Sequence, residues 1–218
     1  MLRQIAVMTL LFFSALTVQA DLKWKLTLFA RNFHKVDDGQ LYRSAQLTKN
    51  ELSKVISDYK IKTVINLRGE NEGQSWYDNE KMVVDKYGVK IINIGMSAKS
   101  LPHRENLLKL LEAFEDAPKP ILIHCKAGAD RTGEAVAIYA MEHMGKSRKE
   151  ASKYLSLKYR HSKTFMPAKD YFVDELYQGK KWAYEEYYPC KNNYKYYDKN
   201  NSRCTTGRFK EDEPGVDE

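Results

Sequence analysis

Cys125 is followed by five residues and then Arg131, in the run His124-Cys125-Lys126-Ala127-Gly128-Ala129-Asp130-Arg131-Thr132-Gly133. Such a run has a specific use when it lies between a strand and a helix. The backbone N–H groups of the loop and the first helical turn then point into one concavity and bind an anion. The same positive field favours a thiolate nucleophile. Arg131, at the helix start, can clamp two phosphate oxygens with its planar fork. Gly128 permits a backbone geometry that a side chain would hinder. Thr132 can donate its hydroxyl to the sulfur and ease its departure from a phosphocysteine. Lys126, Ala127, Gly128, Ala129 and Arg131 are the expected phosphate-binding stretch, with His124 orienting the loop through hydrogen bonds. Each feature alone fits a buried structural cysteine or an ordinary turn. Their co-occurrence in register is improbable by composition.

The elements needed to position that loop are legible around it. Ile121-Leu122-Ile123-His124 reads as a short buried strand entering the loop, and Thr132 to Met144 as the helix leaving it. Upstream, Leu41-Tyr42-Arg43-Ser44 reads as a strand. Thr48 caps a helix through Tyr59, with Glu51 completing a capping box. Ile61 to Arg68 is a β-branched strand ended by Gly69. Residues 75–87 have helical spacing, offering Trp76, Met82, Val83, Val84 and Tyr87 for burial. Lys90 to Ile94 is a further strand. Leu107, Leu108, Leu110, Leu111 and Phe114 stripe a helix that stops before Pro118-Lys119-Pro120. Beyond the loop helix, the pattern predicts helices over Arg148 to Tyr159 and Pro167 to about Tyr188. Alternation of this kind predicts an α/β fold.

Residues 124–132 resemble the signature of the cysteine-dependent protein-tyrosine and dual-specificity phosphatases: His-Cys, five residues, Arg, then Ser or Thr. The resemblance runs roughly from Leu41 to Tyr159. Leu41-Tyr42-Arg43-Ser44-Ala45-Gln46 and Val64-Ile65-Asn66-Leu67-Arg68 look like early strands of compact bacterial and atypical dual-specificity members. The Cys-Lys-Ala-Gly segment is also similar to phosphoinositide phosphatases and to phosphatase-like phytases. The resemblance implies a single domain with a central mixed sheet flanked by helices, Cys125 as nucleophile and Arg131 as phosphate clamp. A mostly helical C-terminal extension from about Tyr171 lies outside it.

One departure from the family bears on mechanism. The family's general acid is usually an Asp on a loop preceding the signature strand, and none occurs between Asp85 and Asp116. The corresponding loop, Gly95 to Glu105, offers Glu105, His103 and hydroxyls. Asp130 is the other candidate, because a Cys-x4-Asp-Arg loop resembles myotubularin- and Sac-type lipid phosphatases. Asp130, Glu105 and no protein acid at all are the open alternatives. The choice matters for substrate: a phenolate leaving group, with a pKa of about 10, needs less help than an alkoxide. Lys99 and Arg104 are possible contacts to further phosphates or to an acidic peptide.

The chain has 218 residues and a net charge of +7, a length suited to one domain. Its 43% hydrophobic content suffices for a core and excludes wholesale disorder. Arg3 and the apolar run Ile5 to Val18, ending at Val18-Gln19-Ala20, read as a cleavable signal peptide. The expected organisation is a signal over 1–20, a phosphatase domain over 21–188 and a tail over 189–218. The expected location is periplasmic or secreted, with cleavage near Ala20 and no stable membrane anchor. Leaving out Arg3 and the five acids of Glu211 to Glu218, residues 21–210 carry +11. That charge suits an anionic partner: a phosphorylated protein, an inositol phosphate or a phospholipid headgroup. Ten of the fifteen tyrosines lie between Tyr154 and Tyr197 among lysines. We read them as helix packing, and expect no nucleic acid. Cys190 and Cys204 would close a loop of about 15 residues if bridged, contributing roughly 3 kcal/mol and leaving Cys125 as the unpaired thiol. The histidines lack metal-ligand spacing, so no metal and no cofactor are expected. The expected product is a monomeric phosphomonoesterase acting on protein phosphotyrosine or phosphoserine/threonine, or on inositol phosphates. A phosphate-binding module without turnover and a sulfurtransferase are the rival readings.

Overall fold

The computed structural model describes residues 19–197. A helix over residues 19–30 (α1) leads into β1 (His34–Asp37) and β2 (Leu41–Ser44), followed by α2 (Lys49–Tyr59), β3 (Thr63–Asn66) and α3 (Ser75–Tyr87). Next come β4 (Lys90–Asn93), α4 (Arg104–Asp116), β5 (Ile121–His124) and α5 (Asp130–His143). The C-terminal part holds α6 (Arg148–Ala151), α7 (Pro167–Tyr171) and α8 (Lys180–Glu185), with short 3-10 and π turns between them. The sheet order is β1-β2-β5-β3-β4. Only β1 runs antiparallel to its neighbour, so the sheet is mixed.

Pairing is in register, and it aligns the ends of four strands. Ser44, His124, Asn66 and Asn93 sit at one level across β2, β5, β3 and β4. The loops that follow these residues therefore open on one edge, where parallel α/β sheets bind ligands. The strands alternate between two cores. Leu41, Ile65, Ile121 and Ile123 face α4, α5 and the C-terminal helices, while Tyr42, Val64 and Leu122 face α1, α2 and α3. Burial on both faces explains why these strands read as continuous apolar runs.

The α2 prediction holds to the atom. Thr48 Oγ1 accepts from the Glu51 N–H, and the Glu51 carboxylate accepts from the Thr48 N–H. Other expectations are corrected. The β3 strand spans only Thr63–Asn66 of the Ile61 to Arg68 run, because Asn66 turns back to bond the chain beyond it: its Oδ1 accepts from the Arg68 N–H and its Nδ2 donates to the Gly69 carbonyl. On α3 the buried face is Tyr77, Glu80, Val83 and Val84, whereas Met82 and Tyr87 are exposed and Trp76 is half-buried. The Arg148 to Tyr159 helix is broken into α6 and two 3-10 turns, closed by Arg160 at φ 63°. The Pro167 to Tyr188 helix is interrupted at Gly179, whose φ of 103° no helix tolerates. Local periodicity could not reveal these breaks, because the residues on either side still face the same core.

Candidate active site

The loop after β5 is held from behind by four consecutive carbonyls. Lys126 O accepts from the Gln46 N–H at 3.2 Å. Ala127 O and Gly128 O accept from Asn32 Nδ2 at 3.2 and 3.0 Å. Gly128 O also accepts from Arg43 Nη2 at 2.7 Å, which reaches Ala129 O at 3.5 Å. Because each peptide's N–H points opposite its C=O, fixing the carbonyls outward turns the following amides inward. That arrangement is an anion cradle built by long-range contacts.

Gly128 is required twice over. Its φ is +66°, and a Cβ there would sit 2.5 Å from Ser44 C and O and 2.6 Å from Ala45 N. The loop can approach the end of β2 only as glycine. Asn32 adopts φ 52° after α1, a conformation asparagine tolerates. Its Oδ1 is 3.0 Å from His34 Nε2. Since Asn32 Nδ2 is the donor to the carbonyls, Oδ1 accepts and His34 carries its hydrogen on Nε2. Burial, with Arg43, Lys158 and Arg160 nearby, lowers His34 to about 4, so it is neutral at pH 7.

Cys125 and Thr132 are buried at the floor of the cradle, and the Thr132 hydroxyl has no protein partner. Arg131 Nη1 donates to Leu67 O at 3.2 Å and Met96 O at 3.4 Å, and its Nε has no partner. The guanidinium is thus anchored by one edge to the loops after β3 and β4. Two further arginines feel the Cys125 charge. Arg43 lies over the Tyr159 ring at 4.2 Å, and burial lowers it to about 10, still cationic at neutral pH. Arg68 lies 3.2 Å over the Trp76 ring and donates to Gln46 Oε1 at 2.9 Å. Burial and the neighbouring Arg131 lower its pKa, while Glu80 and Cys125 oppose the shift. Arg43, Arg68 and Arg131 make this end of the sheet cationic, which suits a phosphate.

The other predicted residues divide. His124 is buried, with Nδ1 3.4 Å from Cys125 O and Nε2 2.8 Å from Glu80 Oε1, off the line of a hydrogen bond. Its place beneath the loop suits orientation. Lys126 and Lys99 are exposed. Arg104 is turned to the C-terminal segment, donating to Tyr184 O at 2.7 Å and lying over the Tyr188 ring. Glu105 is exposed in the first turn of α4 and lines a polar cleft of about 850 Å³ that also includes Arg68 and Asn71. Asp130 is the first residue of α5 and accepts from His161 Nδ1 at 2.8 Å. Cys190 lies 3.7 Å from the Tyr197 hydroxyl, whereas Cys204 is outside the described residues, as are the signal run up to Val18 and the acidic tail.

Sequence reasoning missed Asn32, Arg43, Arg68 and His161. Arg43 and Arg68 did carry a signal, the first a cation inside a fully buried strand and the second a cation just past another. Asn32 carried none, since its targets are about a hundred residues away in the chain.

Comparison with known proteins points one way. A family model described as DSP-PTPase phosphatase fused to NAD+ kinase matches residues 24–174. Tyrosine-protein phosphatase cdc-14 of Caenorhabditis elegans is 26% identical over 116 residues, 53% of this chain and 15% of that protein. The chain thus spans a small part of that relative's length. Among solved structures, P. aeruginosa TpbA in complex with pTyr superposes with TM-score 0.56 at 19% identity, covering 67% of this chain and 85% of that one. The core catalytic domain of the PP-IP phosphatase SIW14 from S. cerevisiae gives 0.53 at 24%, covering 67% and 86%. Both structural likenesses concern the fold.

Proposed function

This chain belongs to the family of DSP-PTPase phosphatases fused to NAD+ kinase, and from that premise we propose that it hydrolyses phosphomonoesters through a phosphocysteine on Cys125. The fold is that of the cysteine-based phosphatases, whose activity is phosphoric monoester hydrolysis. The observation that carries the mechanism is the outward fixing of carbonyls 126–129, which leaves an amide cradle over a buried cysteine with Arg43 behind the loop and Arg68 and Arg131 close by. The Cys125 thiolate attacks phosphorus in line, and the P–O bond to the leaving group breaks. Arg131 and the loop amides hold the equatorial oxygens as charge develops on them. An acid gives the leaving oxygen its proton, and Thr132 stabilises the sulfur. Water then attacks the phosphocysteine, losing its proton to the same acid acting as base, and phosphate departs. Asp130 fits that role better than Glu105, because it adjoins Arg131 in the first turn of α5.

The leading substrate is protein phosphotyrosine or phosphoserine/threonine, in keeping with the tyrosine phosphatase name of the cdc-14 relative and the phosphotyrosine bound to TpbA. Arg68 stacked on Trp76 offers an aromatic, cationic wall beside the phosphate site. Inositol phosphates are the second reading, favoured by the +11 body and the exposed Lys126. Burst release of nitrophenolate from p-nitrophenyl phosphate, absent in Cys125→Ser, tests the hydrolase. A panel of phosphotyrosine peptides, phosphoserine peptides, inositol hexakisphosphate and phosphoinositides tests the substrate.

We also propose that the protein is exported as a monomer after cleavage near Ala20, with Cys190 and Cys204 bridged. The support is the charge-apolar-small pattern of residues 1–20. Among the described residues no helix is long and apolar enough to cross a membrane. N-terminal sequencing of protein recovered outside the cytoplasm should begin near Asp21.

A further inference from the structure

His161 lies outside the signature motif, buried in the segment between the second 3-10 turn and α7. Its Nδ1 is 2.8 Å from Asp130 Oδ1 and its Nε2 is 2.8 Å from Asp170 Oδ2. A neutral imidazole has a single N–H. Two carboxylate contacts therefore call for an imidazolium, or for a proton on one carboxyl. Burial works against the charge, but the hydrogen bonds and charges of Asp130 and Asp170 outweigh it, so the pKa of His161 is raised.

The surroundings extend the network. Glu134 of α5 accepts from Lys169 Nζ of α7 at 2.9 Å, and both side chains are fully buried. Lys169 Nζ also donates to Ser100 O at 2.7 Å, in the loop that leads into α4. Asp130 and Glu134 from α5, and Lys169 and Asp170 from α7, are thus the charged groups around His161. Three carboxyls face two cations. A buried cluster one charge short of neutral favours taking up a further proton. Burial raises Glu134 to about 7 against the pull of Lys169, in the same direction. Asp130 is the cluster's most open member, its side chain 20% exposed against 8% or less for the rest. The His161 contact also gives Asp130 a cation other than the adjoining Arg131, leaving that guanidinium to the phosphate.

We propose that His161 is the positioning residue of the general acid, holding Asp130 at the start of α5 and tying it to Asp170 of α7, the residue next to the buried Lys169 that pairs with Glu134. This inference rests on the phosphocysteine reading above and on Asp130 as the acid. It makes the acid of this enzyme a product of the C-terminal segment as well as of the signature loop.

The test uses the full chain and three substrates of rising leaving-group basicity: p-nitrophenyl phosphate, a phosphotyrosine peptide and a phosphoserine peptide. In His161→Asn, the ratio of kcat/KM for p-nitrophenyl phosphate over phosphoserine should rise at least ~10-fold, since weak leaving groups depend most on the acid. An equal loss on all three would leave His161 a purely structural residue and overturn the proposal. Asp170→Asn, which keeps the imidazole and its Asp130 contact, should shift the ratio the same way by a smaller factor. Imidazole 15N spectra of the whole protein give a readout independent of turnover. The His161 titration midpoint should lie above that of a free imidazole, and Asp130→Asn should shift it. A titration midpoint indifferent to Asp130 contradicts the proposal even if no variant folds well enough for kinetics. Loss of the burst in the unmodified enzyme would instead sink the hydrolase reading itself.

Discussion

The two halves of the site are built differently. The phosphate-gripping half is a contiguous run, residues 124–132, stiffened from behind by Gln46, Asn32 and Arg43 and seated against Ser44. The half to which we assign the proton is assembled from distant segments. Asp130 meets His161, Lys169 meets Ser100, Tyr187 donates to Pro102 O at 2.6 Å, and His103 meets the Tyr197 hydroxyl at 2.8 Å. Leu101 N–H also donates to Tyr196 O at 3.2 Å. The difference teaches that the groups facing the phosphate come from one short run, although distant Asn32, Arg43 and Gln46 fix their backbone. If Asp130 is the acid, as proposed, its setting is fixed instead by how the C-terminal segment docks on α5 and on the loop before α4.

Breaking the gripping half should have the larger effects. Cys125→Ser should lower turnover at least about 10³-fold on every substrate, without a change in melting temperature beyond a degree or two, as nucleophile losses do. Pre-steady-state kinetics and calorimetry check the pair of outcomes. Gly128→Ala should both unfold and inactivate. The positive φ alone costs about 1–3 kcal/mol, and the added Cβ would overlap Ser44 backbone that cannot yield. A melting point unchanged in Gly128→Ala would refute the close-approach account. Arg43→Met should destabilise by about 1–3 kcal/mol, since it strands the Tyr154 carbonyl and leaves Gly128 O to Asn32 alone, and should weaken vanadate inhibition.

Effects on the proton-handling half should be smaller and selective. Tyr187→Phe removes one buried donor to Pro102 O and should cost about 1 kcal/mol. Its kinetic cost should fall on phosphoserine more than on p-nitrophenyl phosphate. His161 supplies a pH signature. Its pKa is raised in the folded state, so the stability it contributes is full below the unfolded value of about 6.5. That increment is lost as pH rises through the higher folded value. Denaturant titrations should show wild type losing stability as pH rises above about 6.5, whereas His161→Asn should lack the loss.

Much of the gripping half was legible in the sequence. The β5 strand, the signature loop and the α5 helix follow from an apolar run, a glycine and a Cys-to-Arg spacing that local chemistry fixes. The Thr48–Glu51 box likewise declares α2 from four residues. What the sequence concealed is long-range. Asn32 bonds carbonyls some 95 residues onward, and nothing near it in the chain requires that. The Pro167 to Tyr188 stretch reads as one helix because Phe172, Val173, Leu176 and Ala183 all return to the same core across the Gly179 break. His161 lacked metal-ligand spacing to its neighbours, and only folding places carboxylates on both of its nitrogens.

The central claim is a covalent phosphoenzyme on Cys125. Rapid acid quench of the protein with excess phosphotyrosine peptide, followed by peptide mass mapping, tests it most directly. The account predicts a phosphate adduct on the peptide containing Cys125 and none in Cys125→Ser. Steady turnover without any adduct on that peptide would contradict it.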